Sequence, residues 1–241
     1  MGMKRIDKIV KKNGFLCLCV RELVHLYYAR MFGVSADEFD QIETTTAYNR
    51  YPELFDSVRT LISPRDTAEI RILSYGCSTG QECWTLRDYF PNAHIIGLDI
   101  NERSLRTARA ENTDAKIEFF RSTPENLVDH GPYDLIFALS VLCRWPETQF
   151  VNDASRLYPF EKFDETIALF DVSLSRGGLM VILNANYHFS DTQVSGRYEP
   201  LVGIGLSQHE CVHKFSTNNQ KLREGAPIEW IFKKIATEHT V

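Results

Sequence analysis

Several features common in other protein classes are scarce or missing in this sequence of 241 residues. No apolar stretch reaches the roughly 20 residues that a membrane helix needs, so no spanning segment is expected. No long basic run stands out and the net charge is −5, so nothing advertises binding to a nucleic-acid backbone. The six cysteines, Cys17, Cys19, Cys77, Cys83, Cys143 and Cys211, include no C-x-x-C pair. That argues against a structural zinc or a disulfide framework, and leaves reduced, partly buried thiols as the expectation. There is no internal repeat and no low-complexity tract. The opening "MGMKRIDKIVKKNGFLCLCV" has the basic-then-apolar order of a secretory leader. Its apolar part is short, Arg21 and Glu22 interrupt it, and no small-residue cleavage site is clear; the Ser or Thr of a myristoylation site is absent as well. An amphipathic helix and a cytoplasmic location are expected instead.

What is present is ordinary globular composition, 44% hydrophobic and 24% charged, which suits one domain with an elaboration. Residues 15–32 carry apolar side chains at helical spacing, Leu16, Val20, Leu23, Val24, Tyr27 and Met31. Ser35–Glu38 fits a capping box. "PELFDSVRTLI" reads as a helix with Pro52 in its first turn. Then the period changes. Strands are expected at 69–75, 93–100 and 116–122, from 133 onward, and at 177–185; helices at 80–90 and 102–111, and over 160–174, where Phe160, Phe163, Ile167, Phe170 and Leu174 share a face. Strands and helices alternating in short units argue for an α/β fold, a mostly parallel sheet with helices on both faces. "PIEWIFKKI" is a further strand, either an added edge or half of an antiparallel pair; residues 186–226 receive no assignment.

The most informative stretch is "ILSYGCSTGQECWTL", residues 72–86. It sits where the first strand of such a sheet gives way to a helix, at the end where ligands bind. Gly76 permits a tight turn and Gly80 a close backbone approach. Asp99 closes the second strand, where an acid accepts hydrogen bonds from both hydroxyls of a ribose. Gly76, Gly80 and Asp99 together make a nucleoside-binding constellation; an ordinary strand–helix turn with a capping Asp is the plainer reading. A dinucleotide site wants G-x-G-x-x-G under its pyrophosphate. Here Ser78 stands between the two glycines. A loop with hydroxyls and a nearby acid better suits S-adenosylmethionine, which carries an amino acid and a sulfonium rather than phosphates. Gln81 and Glu82 offer it polar contacts, or cap the helix.

"ILSYGCSTGQE" resembles the first motif of the class I S-adenosylmethionine-dependent methyltransferases, and most closely that of the chemotaxis-receptor glutamate methyltransferases, S-x-G-x-S-T-G-E-E. The similarity extends to "TTTAYNRYPELFDSVRTLI" (44–62), "YDLIFALSVLCRW" (133–145) and "LSRGGLMVI" (174–182). The resemblance implies a Rossmann-like class I fold with an N-terminal helical extension: residues 1–62 as a cap or lid, and residues 63–241 as the domain that binds S-adenosylmethionine and releases S-adenosylhomocysteine. It implies donor contacts from Thr46, Tyr48, Arg50, Ser74, Gly76, Ser78, Gly80, Glu82, Asp99, Ile100, Ser122, Thr123, Leu139 and Ser140, with no metal. This chain departs from the family at Gln81, Ser140, Arg144 and Trp145. About a dozen residues separate "ARAE" from "PENL", too few for the β-subdomain that engages the receptor, so receptor methylation is not carried over.

Methyl transfer needs an acceptor held in line with the methyl, water excluded, and the acceptor unprotonated; a carboxylate meets the last condition at neutral pH. Arg50, Arg144 and His188 are candidates for catalysis, and Trp145, Tyr187 and Arg197 for the acceptor. An arginine there suits an anionic group, while a lone histidine is as readily a structural hydrogen-bonder. The expected function is methylation of a small molecule or short peptide, with a carboxylate as one acceptor. Alternatives are a non-catalytic binding or regulatory protein, and a nucleic-acid or protein methyltransferase. No N-P-P-Y or D-P-P-Y follows the fourth strand, which weighs against nucleic acid. Homo-oligomerisation is left open.

Overall fold

The computed structural model describes residues 46–62, 69–201, 212–223 and 230–235. The expected helices of residues 15–38, and Cys17, Cys19 and Cys211, lie outside them. So does most of the expected cap, 1–62, of which the described part is residues 46–62, helix α1 and the turn before it.

The chain enters through α1 (Pro52–Ile62), with Pro52 at its start and Leu54, Phe55 and Val58 on its buried face. The repeating units follow: β1 (Arg71–Tyr75), α2 (Gln81–Tyr89), β2 (His94–Asp99), α3 (Glu102–Glu111), β3 (Ile117–Arg121), α4 (Pro124–Asp129) and β4 (Tyr133–Leu139). After a loop with one 3-10 turn come α5 (Phe160–Ser173), β5 (Leu174–Leu183), β6 (Tyr198–Pro200) and β7 (Ile231–Lys234). Local chemistry sets the boundaries. Asn101 caps α3 by accepting from the amides of Arg103 and Ser104. Thr123 caps α4, whose first residue is Pro124, a pair that is itself a local helix-start signal.

Seven strands form one sheet in the order β3-β2-β1-β4-β5-β7-β6. β1 through β5 pair in parallel. β7 runs antiparallel to both β5 and β6, so "WIFKK" is an interior strand and the edge is β6. Successive strand residues face opposite sides, as the two-residue period demands. Ile72, Ile95, Leu135 and Leu179 face α1, α2 and α3. Leu73, Ile96, Ile136 and Met180 face α4 and α5. Both faces are covered, which is why these strands read as near-continuous apolar runs. Phe55 ties α1 to the first layer, with ring centroids 5.4 Å from Tyr89 and 5.6 Å from Phe137. The chain winds outward from β1 to β3 on one side and resumes at β4 on the other, so a switch point opens at the carboxyl ends of β1 and β4.

Candidate functional site

The β1–α2 turn lies at that switch point. Gly76 adopts φ +79, and a Cβ there would stand 2.5 Å from Val141 Cγ2. Its amide donates to Leu98 O at 2.7 Å, joining the turn to the end of β2. Gly76→Ala adds both a left-handed strain and a collision. It is expected to destabilise the fold by about 2 kcal/mol, read as a lower denaturant midpoint at unchanged slope. Gly80, φ +98, begins α2 with its would-be Cβ 3.1 Å from Phe119 and 3.2 Å from Trp84; side-chain bulk there would meet packed rings.

Ser78 between them is also left-handed, φ +51. Asp99 holds it: Ser78 N donates to Asp99 Oδ2 at 2.7 Å, and Asn101 N donates to Asp99 Oδ1 at 2.7 Å. Asp99 therefore caps no helix; Asn101 does. The carboxylate bridges the glycine turn and the start of α3, with one further lone pair on each oxygen. Burial pushes its carboxyl above the usual aspartate range, against the pull of those two amides.

A second acid reaches the end of β1 from the helix. Ser74 Oγ donates to Glu82 Oε1 at 2.7 Å. Burial raises the Glu82 carboxyl to about 7, while the Ser74 hydroxyl and the charge of Arg50 act in the opposite sense. Arg50 itself is exposed, with its guanidinium 5.1 Å from the centre of the Tyr51 ring. Gln81 accepts from the Thr79 hydroxyl at 2.6 Å. Gln81 and Glu82 thus bond to side chains, and α2 has no side-chain cap from Gly80.

Across the switch point, Ser140 follows β4 and Asn184 follows β5, both left-handed at φ +59 and +56. Asn184 Nδ2 donates to Ser140 Oγ at 2.8 Å, and Ser140 Oγ shares a second hydrogen bond, 2.8 Å, with the Tyr51 hydroxyl. Neither Tyr51 nor Asn184 was singled out from the sequence. They lie 89 and 44 residues from Ser140, and no local pattern links such positions.

The remaining expected donor contacts divide. Leu139 is buried at the end of β4, and Ile100 and Ser122 are half-buried beside Asp99, whose carbonyl accepts from Ser122 N at 2.9 Å. The Thr123 hydroxyl is taken up by the α4 cap. Thr46 is half-buried. Tyr48 is 54% exposed and lines a cavity of about 390 Å³ with Trp84, Arg87 and Asn112, on the outer side of α2 and α3 rather than over the strand ends.

Three expected acceptor contacts are placed elsewhere. Arg144 is buried; its Nε donates to Leu157 O at 3.3 Å and its amide to Asn186 Oδ1 at 2.8 Å, so it staples the loop after β4. Tyr187 is buried among Tyr158, Phe160, Phe163 and Phe215, its hydroxyl on Asn219 Oδ1 and Tyr158 O. Arg197 pairs with Asp171 at the end of α5, beside the amino end of β5 and thus at the opposite end of the sheet from the crevice. A loop at the carboxyl end of a parallel strand ordinarily borders the crevice. Here the chain turns down over α5 instead. His188 follows Tyr187 on that side, half-buried at the start of a 3-10 turn. Trp145 is half-buried, and its indole N–H, itself buried, meets no acceptor. Among the described residues, no cluster of three His, Cys, Asp or Glu could hold a metal, and no helix is long and apolar enough to cross a membrane.

Residues 73–157 match the family described as a methyltransferase domain. The chain is 27% identical over 130 residues to a malonyl-[acyl-carrier protein] O-methyltransferase of Bacillus anthracis, covering 53% of this chain and 44% of that protein. It is 30% identical over 98 residues to the protein of the same description from Bacillus cereus, covering 38% and 36%. The matched stretch thus spans less than half the length of either relative. Among solved structures, the amino pentose methyltransferase CalS10 of Micromonospora echinaspora, bound to S-adenosylmethionine, superposes with a TM-score of 0.42 at 18% identity, covering 63% of this chain and 57% of that one. The family match falls on the strands and turn that frame the crevice, β1 through the loop after β4. The likeness to methyltransferases thus rests on residues 73–157, the part of the chain that frames the crevice.

Proposed function

We propose that the protein transfers the methyl group of S-adenosylmethionine to a small-molecule or short-peptide acceptor, and that the acceptor group is a carboxylate. The observation that carries the donor half is the Asp99 carboxylate held against the glycine turn, with a free lone pair on each oxygen for the two ribose hydroxyls. The Ser74–Glu82 pair supplies, at the end of β1, negative charge suited to the donor's cationic methionine end. In this reading the likeness of "SYGCSTGQE" to the chemotaxis-receptor motif supports the use of a helix-borne glutamate, Glu82, for that task. The carboxylate half is supported by the malonyl relatives, whose named substrate carries one, and by Arg50 beside the crevice. The net charge of −5 agrees with a small acceptor rather than a nucleic acid.

The protein need only position its reactants, because sulfonium already activates the methyl carbon. Calorimetry with S-adenosylhomocysteine and with NAD tests the donor. Binding of the first and not the second is expected, and the reverse result would remove the methyltransferase reading. Labelled-methyl transfer into cell extracts fractionated by size is expected to mark the small-molecule or peptide fractions, with alkali-labile label as befits a methyl ester.

A further inference from the structure

The geometry points to Tyr51, Ser140 and Asn184 as the anchor for the acceptor's carboxylate, an inference that rests on the methyltransferase reading above. The three meet at the crevice edge, between the carboxyl ends of β4 and β5 and next to β1, where an acceptor would face the donor across the switch point. Two features mark the cluster as built. Ser140 and Asn184 both stand in the left-handed region, uncommon for residues other than glycine, and Ser140 lacks the tolerance for it that asparagine has. Their side chains then meet each other, and the phenol of Tyr51 reaches them from the segment before α1.

Counting hydrogens gives the chemistry. Asn184 Nδ2–H fills one lone pair of Ser140 Oγ. The Ser140 and Tyr51 hydroxyls carry two hydrogens between them, and the bond joining them uses one. Whichever hydroxyl donates in that bond, one O–H remains to be given outward. The two hydroxyls together are therefore a single neutral donor, fixed in place and adjustable between two oxygens. Such a donor suits one oxygen of a carboxylate and leaves the other free to attack. In the step itself a lone pair of the free carboxylate oxygen forms the O–CH3 bond as the S–CH3 bond breaks. The broken bond's electron pair goes to sulfur, which loses its positive charge. The products are an ester and a thioether, and no proton moves, so two hydroxyls without a base suffice.

The shared outward hydrogen makes an unusual pattern of mutational effects. Tyr51→Phe frees the Ser140 O–H to turn outward, and Ser140→Ala frees that of Tyr51. Each single variant keeps one hydroxyl donor; the double variant keeps no hydroxyl, only the Asn184 amide. The test is NMR titration of the S-adenosylhomocysteine-loaded protein with monomethyl malonate, a carboxylate, and with dimethyl malonate as its uncharged counterpart. The parent is expected to bind the first and not the second. Each single variant should lose no more than about twofold in affinity for monomethyl malonate, and the double variant about tenfold to a hundredfold, the value of a hydrogen bond to a charged group. Tyr51→Phe should bind S-adenosylhomocysteine as the parent does, which also reports that it folds. Additive single effects, equal binding of the two malonates, or undiminished binding by the double variant would overturn the assignment. So would a loss of S-adenosylhomocysteine binding in Tyr51→Phe, which would give the cluster to the donor's own carboxylate. Failure of the parent protein to bind S-adenosylhomocysteine would instead count against the function the assignment rests on.

Discussion

Asp99→Ala is expected to weaken binding of S-adenosylhomocysteine by about a hundredfold or more. Two hydroxyl donors on one carboxylate contribute about 1.5–3 kcal/mol each, and each 1.4 kcal/mol is tenfold in affinity. The substitution also removes the acceptor that draws Ser78 N and Asn101 N toward one another, so the turn loses the brace that holds Ser78 left-handed. Asp99→Asn separates the two effects. An amide matches the carboxylate in size but presents one oxygen and one NH2, and both backbone partners are donors. One of them must then face a donor, so Asn is expected to bind as poorly as Ala while keeping more of the packing. Calorimetry reads the affinity, and a denaturation midpoint for each variant reads the brace. Parent-like binding by the alanine variant would put the ribose elsewhere.

The route to Asp99 shows what the chain discloses by itself. The β1–α2–β2 unit was legible because its signals are local: an apolar run, two glycines four residues apart, and an acid where the second run stops. Burial on both faces made every central strand an apolar run; the structure trims the expected spans of β1, β2 and β3 by one or two residues at an end and starts β5 three residues earlier, at Leu174. The α5 face was equally open, since Phe163, Ile167 and Phe170 repeat at helical spacing and are all fully buried. The acceptor side was not. Tyr51, Ser140 and Asn184 come from three separate connections, and only the folded sheet brings Tyr51 and Asn184 each within 2.8 Å of Ser140. Arg144 and Arg197 were expected at the crevice because arginine grips anions, and both found protein oxygens instead, Leu157 O and Asp171. Residue type shows what a side chain is able to bind. Which partner it finds depends on where the loop after each strand turns, and residues 186–226 carried no periodic signal from which to read that.

Glu82 makes the second large effect, and it is one of pH. Burial raises its carboxyl from 4.5 to about 7 in the folded protein. Below pH 4.5 both folded and unfolded chains hold the proton, and the group contributes nothing to the pH dependence. Between about 4.5 and 7 the unfolded chain releases it while the folded chain keeps it, so the folded state binds more protons and stability falls as pH rises. Above 7 the loss is complete, at most about 3 kcal/mol by the size of the shift. Asp99 shifts in the same direction, so the Glu82 share is read from the difference between the parent and Glu82→Gln. The glutamine variant is expected to be the more stable protein without ligand above pH 7, and to show a flatter stability curve from pH 4.5 upward. Donor binding should run the other way. A cation settling beside Glu82 favours the carboxylate, so binding at pH 6 is expected to release about one proton, measured by calorimetry in buffers of different ionisation enthalpy. Glu82→Gln should abolish that release and weaken binding about tenfold at pH 8. Both donor and product carry an ammonium, but only the donor carries a sulfonium. Equal proton release with S-adenosylmethionine and S-adenosylhomocysteine would set Glu82 against the ammonium; release with the donor alone would set it beneath the sulfur. Release with neither would show that the buried carboxyl stays protonated through binding and serves Ser74 alone.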